Sequence, residues 1–125
     1  VVHLRRAKDL MDREYASPLV IDDLARSAGC SRYYFVRSFR DAYGETPGRY
    51  LTMRRIERAK DLLRSVNLTV TEICMVVGFS SLGTFSRRFN EIVGMSPTEY
   101  RARHPASASI PGCFLMTWTR PDNFG

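Results

Sequence analysis

Along most of the chain the apolar side chains recur every three or four positions, as on one face of an α-helix, and no stretch shows the period of two that marks a half-buried strand. The helical stretches repeat. Leu19, Asp23, Leu24 and Gly29 match Leu68, Glu72, Ile73 and Gly78 at an offset of 49. After one extra residue just past the glycine, Phe35, Arg37, Phe39, Gly44, Pro47 and Tyr50 match Phe85, Arg87, Phe89, Gly94, Pro97 and Tyr100 at an offset of 50. A unit written twice is the first thing a fold must accommodate.

Each copy predicts a helix, a tight turn and a second helix. In the second copy Thr69 and Glu72 form a capping box, so a short helix starts at Val70, with Ile73, Val76 and Val77 on its buried side, and stops at Gly78. Ser81 caps the next helix, whose stripe is Phe85, Phe89, Ile92 and Val93. The first copy has Leu24, Ala25 and Ala28, then Gly29, Ser31 as cap, and Phe35, Phe39, Ala42 and Tyr43 as the stripe. Its weak point is Val20, which stands where Thr69 caps the other copy, with Asp22 and Asp23 in the first turn as partial compensation.

Both copies close on a cap followed by proline, Thr46-Pro47 and Ser96-Pro97, and Ser96 with Glu99 writes a further capping box. From Pro47, the apolar positions Tyr50, Leu51, Ile56, Ala59, Leu62, Leu63 and Val66 sustain one helix. At about 20 residues it is roughly 30 Å long. Leu4, Ala7, Leu10, Met11 and Tyr15 predict an opening helix that ends near Ser17-Pro18. The expected fold is all-α with about seven helices. The expected organisation is an N-terminal helix and first helix-turn-helix over 1–45, a linker helix over 46–66, a second helix-turn-helix with closing helix over 67–104, and a tail over 105–125. The tail begins PASASIPG, and its Phe114, Leu115, Met116 and Trp118 are expected to pack on the body; a protein-interaction module using that tail is the alternative function.

At 100° per residue, the second helix of copy one buries Phe35 and Phe39 and turns Tyr33, Arg37 and Arg40 outward, with Arg32 and Val36 on the flanks. In copy two Gly83, Arg87 and Asn90 face outward, with Leu82 and Ser86 at the edge. Arg37 and Arg87 are equivalent, and an outward arginine near the start of the second helix of such a unit is placed to reach base edges in a major groove. Tyr33 and Val36 either finish the edge of the core or meet a thymine methyl, and Leu82 reads as packing.

Charge sharpens this picture. The net charge of +6 comes from 19 basic residues, of which 17 are arginine, with only Lys8 and Lys60 as lysine. A guanidinium grips phosphate or guanine with two parallel hydrogen bonds, which an ammonium does not. With 125 residues and 44% hydrophobic content, the chain builds a core without metal or disulfide. Cys30, Cys74 and Cys113 lack the close spacing of a zinc or redox site, and His3 and His104 sit near opposite ends, so no metal and no cofactor is expected. No apolar run is long enough to span a bilayer, and no signal peptide is written; the expected location is the cytoplasm, in association with the nucleoid. No nucleophile elbow, phosphate loop or catalytic constellation appears, so an enzyme is not expected.

Over residues 4–104 the chain resembles the DNA-binding domain of the AraC/XylS family of bacterial transcription regulators. The resemblance is carried by LARSAGCSRYYFVRSF, by TPGRYLTMRRIERAKDLL and above all by VTEICMVVGFSSLGTFSRRFNEIVGMSPTEYR. It implies two helix-turn-helix units on a linker helix, with recognition helices over about 31–43 and 81–93 entering successive major grooves of double-stranded promoter DNA. By motif position, it implies base contacts from Arg32, Tyr33, Val36 and Arg37 in the first unit and from Leu82, Gly83, Ser86 and Arg87 in the second. Ser31, Arg40, Ser81, Thr84 and Arg88 are the expected phosphate contacts. A monomer is expected on DNA, with RNA polymerase as a further partner and no membrane. Fewer than 20 residues precede the first unit, which fits either a stand-alone member or the DNA-binding part of a longer regulator.

Overall fold

Every helix after α1 and α2 starts on a hydroxyl that satisfies an otherwise orphaned backbone N–H. The computed structural model describes residues 3–105, and among them are seven helices and no strand: α1 (Leu4–Arg13), α2 (Ile21–Ala28), α3 (Arg32–Tyr43), α4 (Pro47–Ser65), α5 (Val70–Val76), α6 (Leu82–Val93) and α7 (Pro97–Arg103). Ser31, Thr46, Thr69, Ser81 and Ser96 each accept from the backbone N–H three residues on, at 3.1–3.3 Å. At Thr69 the box closes, because Glu72 accepts from the Thr69 N–H at 2.9 Å. At Ser96 it does not: the Glu99 carboxylate turns instead to Arg103 at 3.0 Å, one helical turn on, which offers a full charge where the box offers a dipole. Helix α2 starts at Val20 with no side-chain cap.

The turns inside the two units are built alike. The N–H of Cys30 reaches the Ala25 carbonyl at 3.1 Å, and that of Phe79 reaches the Cys74 carbonyl at 3.0 Å, so each first helix ends in the same six-residue closure. Gly29 and Gly78 make this closure with φ of +82° and +104°, a region that a β-carbon disfavours.

Two apolar cores result. One gathers Ala7, Met11, Leu24, Ala25, Ala28, Phe35, Phe39 and Leu51; the other gathers Ile56, Ala59, Leu62, Leu63, Val66, Leu68, Ile73, Cys74, Val77, Phe79, Phe85, Phe89 and Tyr100. The repeat extends to ring geometry. Phe35 and Phe39 lie 5.8 Å apart at 57°, as do Phe85 and Phe89, and each second ring meets the tyrosine fifty residues from its counterpart, Tyr50 or Tyr100, at 5.6 Å. Burying each phenylalanine contributes up to about 3 kcal/mol.

Two further expectations are corrected. Helix α1 ends at Arg13, not near Ser17: the chain turns through Glu14, with the Ser17 N–H on the Glu14 carbonyl at 3.0 Å, and Tyr15 leaves the helix to pack against both cores. Ala42 lies on the same helical face as Phe35 but is exposed; the last turn of α3 packs on the core through Tyr43, whose ring meets Phe39 at 4.7 Å. Phe114, Leu115, Met116 and Trp118 lie outside the described residues, as does Cys113. Cys30 and Cys74 are free thiols, and burial pushes the Cys74 thiol up.

The missing cap gives a direct test. Val20 is extended, with φ −107° and ψ 131°, and 52% exposed, so a hydroxyl fits there without disturbing the core. Val20→Thr should raise stability by about 0.5–1 kcal/mol and Thr69→Ala should lower it by about 1 kcal/mol, shifts of several degrees in a thermal melt followed by circular dichroism. The Thr69 N–H and hydroxyl hold the Glu72 carboxyl below its usual range. This contribution is present above the unfolded carboxyl's range and is lost as pH falls through the lowered value, so Glu72→Gln should flatten the acid limb of stability below about pH 4. The group is exposed, and the effect should shrink in high salt.

Candidate nucleic-acid interface

Helices α3 and α6 present the same pattern of burial at an offset of fifty. Phe35 and Phe39, like Phe85 and Phe89, are fully covered; Ser31, Arg32, Tyr33 and Arg37, like Ser81, Leu82, Gly83 and Arg87, are exposed; Val36 and Ser86 are half-buried at the edge. The Ser31 and Ser81 hydroxyls accept from the Tyr34 and Thr84 N–H groups, so these two serines build the helix starts to which they belong.

On α3, Tyr33, Val36, Arg37 and Arg40 line one open concavity, which brings together three of the expected base-reading residues and one expected phosphate contact. Tyr33 is 74% exposed, which places its ring in solvent and not at the core edge. Arg32 stands apart, 3.6 Å from Asp22 at the start of α2. Arg37 and Arg40 form no ion pair among the described residues, so their guanidinium groups are available to an external anion. Tyr34, 52% exposed, was not singled out from the sequence. Its signal was there, since it occupies the position of Thr84 in the other copy.

On α6 the surface is sparser. Leu82 is 43% exposed and Arg87 forms no ion pair among the described residues. Gly83 has ordinary helical backbone, and a β-carbon added there would meet only the Ser81 Oγ at 3.8 Å. The fold therefore does not require glycine at that position. Thr84 and Arg88 are half-buried. Arg88 pairs with Glu91 at 3.0 Å and borders a second concavity with Gly48, Arg49 and Thr52 from the first turns of α4. Arg49 is held 3.5 Å from Glu45. Sequence reasoning missed Arg49 and Thr52, because nothing in the linear pattern says that the start of the linker helix lies beside α6.

Other arginines serve the fold. Arg55 donates to the carbonyls of Tyr15 and Ser17, and Arg101 donates to the carbonyls of Leu63 and Val66 at the end of α4, both at 3.2 Å. Burial lowers the pKa of both guanidinium groups from a value so high that they stay charged. No helix among the described residues is long and apolar enough to cross a membrane.

This arrangement has relatives. A family model described as a helix-turn-helix domain matches residues 24–103. The regulatory protein SoxS of Salmonella typhimurium is 36% identical over 93 residues, which are 74% of this chain and 87% of SoxS. Other relatives are longer, and the chain spans only 60% and 36% of the length of two of them. Among solved structures, an AraC-type DNA-binding domain protein from Chromobacterium violaceum is 32% identical with a TM-score of 0.73, covering 82% of this chain and 91% of that one. The DNA-binding domain of AdpA, solved with a target DNA, is 28% identical with a TM-score of 0.77, covering 82% of this chain and 93% of that one. The chain belongs to the AraC/XylS family of helix-turn-helix transcription regulators.

Proposed function

We propose that the protein binds promoter DNA as a monomer, placing α3 and α6 in successive major grooves on one face of the duplex. The observation that carries this reading is the equivalence of Arg37 and Arg87: both are exposed, neither has an ion-pair partner among the described residues, and both stand on the outer face of a serine-capped helix. Helix α4, with 19 residues, is about 29 Å long, close to the ~34 Å between adjacent major-groove faces. In this reading residues 1–45 and 67–104 are the two reading units and 46–66 is their spacer. The protein acts at the nucleoid and has RNA polymerase as its further partner.

Arg32, Tyr33, Val36 and Arg37 read bases from the first unit, and Leu82, Gly83, Ser86 and Arg87 read them from the second. Arg40, Arg88, Thr84 and the serine-capped helix starts at Ser31 and Ser81 hold phosphates, joined by Tyr34, Arg49 and Thr52. The first unit offers two guanidinium groups and a phenol to base edges, whereas the second offers one guanidinium and a hydroxyl. Sequence discrimination is therefore concentrated under α3, and α6 acts mainly as an anchor.

Selection of bound sequences from random duplex, followed by scanning of every base pair, tests this reading. The site should be asymmetric and about 20 bp long, with 1:1 stoichiometry in analytical ultracentrifugation, and the half under α3 should be the less tolerant of substitution. An obligatory 2:1 complex on a palindrome contradicts it. Arg37→Ala should cost about 1–3 kcal/mol and relax preference at one base pair, whereas Arg88→Ala should weaken all duplexes alike and reduce the salt slope.

Gly83→Ala separates fold from reading. Since nothing crowds a β-carbon at Gly83, the substitution should stabilise the free protein by up to about 1 kcal/mol. If the glycine is there to let the backbone approach the groove, the same variant binds its selected site less tightly. A melting curve and a titration on one preparation measure both effects.

A further inference from the structure

The two cores meet α4 on different turns. Leu51 belongs to the first core and Ile56 opens the second, and the four residues between them, 52–55, contribute no buried apolar side chain to either. At this crossing the helix is anchored by neither core, and any bend between the two units would be taken up here.

Arg55 occupies the crossing. Its Nε donates to the Tyr15 carbonyl at 2.6 Å and its Nη2 to the Ser17 carbonyl at 2.8 Å, both on the connection between α1 and α2 in the first unit. The same guanidinium lies 5.8 Å from the ring centroid of Phe79, a core residue of the second unit. Around it the two backbones nearly touch. A β-carbon on Gly78, in the turn of the second unit, would lie 2.9 Å from the Ala16 Cα, 3.0 Å from the Ala16 carbonyl oxygen and 3.0 Å from the Arg55 Nε. Tyr15 completes the junction by packing against both cores. The first unit, the linker and the second unit thus converge on one side chain, which is planar and donates in two fixed directions.

We infer that Arg55 is a positioning residue: by tying the α1–α2 connection to α4 beside the Gly78–Phe79 turn, it fixes the angle between the two recognition helices and hence the base-pair spacing that the protein accepts. The inference rests on the DNA-binding reading above. Geometry makes the lever effective. A bend of about 10° acting over about 15 Å, half the linker, displaces a unit by about 2.6 Å, which is close to the ~3.4 Å rise of one base pair. Arg55 reaches no base or phosphate in this reading, so its influence on DNA runs through the relative placement of α3 and α6.

The test uses the full chain and the duplex selected from random sequence, with one base pair inserted into or removed from the segment between the two protected halves. One added base pair rotates one half against the other by about 35°. The wild type should lose about tenfold or more in affinity for either spacing variant. Arg55→Met, which keeps the stem but loses both donors, and Arg55→Lys, which keeps the charge but not the fork, should each cut that loss to about threefold or less while still melting cooperatively. A folded variant with the wild-type spacing profile would overturn the inference. Unfolding of both variants would also overturn it, by making Arg55 a requirement of folding and not of spacing. A wild type that binds no duplex selectively would sink the DNA-binding reading and this inference with it, whereas an unchanged spacing profile sinks only the inference.

Discussion

Both apolar cores are closed by side chains of one helix: Leu51 covers the first, and Ile56, Ala59, Leu62 and Leu63, with Val66 just past the helix end, cover the second. Helix α4 is in this sense an interior wall of two small bundles and not a tether between finished ones. Three-helix units of about 40 residues have little apolar surface to spare, and each draws further buried side chains from α4. The sharing has a geometric consequence. Because each unit is packed on the same stiff rod, the distance and angle between α3 and α6 follow from the core packing and from how straight α4 stays.

The duplicated rings show how much of a repeat is set by packing and how much is free. Phe39 with Tyr50 and Phe89 with Tyr100 have the same separation, yet the two tyrosine hydroxyls find different partners: Tyr50 donates to Asp12 on α1, and Tyr100 accepts from Arg64 on α4. Around Tyr50 the aspartate also draws in Lys8 and Arg54, and Lys8 sits over the rings of Tyr43 and Tyr50. The second half of α4 stands to the second unit as α1 does to the first, since RAKDLM at 6–11 returns as RAKDLL at 58–63, and Arg64 occupies the place that Asp12 holds in the first unit. The aromatic core is thus common to both copies, while the polar rim is particular to each.

What could be read from the sequence follows the same division. The helices, their hydroxyl caps and the paired cores were legible, because the capping serines and threonines, Gly29 and Gly78, and the i, i+4 phenylalanines act over a few residues, whereas the box expected at Ser96 lost its Glu99 to Arg103. Outward placement of Arg37 and Arg87 was legible for the same reason. The end of α1 was not: Leu10, Met11 and Tyr15 continue the helical period, but tertiary demands on the turn take Tyr15 out of the helix. Nor were the tasks of Arg55 and Arg101 legible, since both look like further positive charge until the carbonyls they bind, 35–40 residues away, are in view. The nearness of Arg88 to Arg49 and Thr52 is another contact between distant segments that no local pattern contains.

An arginine-rich composition is therefore an ambiguous signal until the arginines are sorted. Arg55 and Arg101 are committed to backbone carbonyls, and Arg32, Arg49 and Arg88 each face a carboxylate, so any DNA group would have to compete for these three. Such pairing at an exposed site is weak and screened by salt, and it keeps a long side chain oriented at little energetic cost until a stronger anion arrives. Arg37 and Arg87 carry no such pairing among the described residues and start from full hydration. The distinction fits the tasks proposed for Arg37, Arg87 and Arg88, but Arg32, a proposed base reader, is paired with Asp22, and Arg40, a proposed phosphate contact, is unpaired among the described residues. By this sorting, what the proposed reading faces of α3 and α6 have in common is an arginine at equivalent positions, Arg37 and Arg87, with no carboxylate to leave among the described residues.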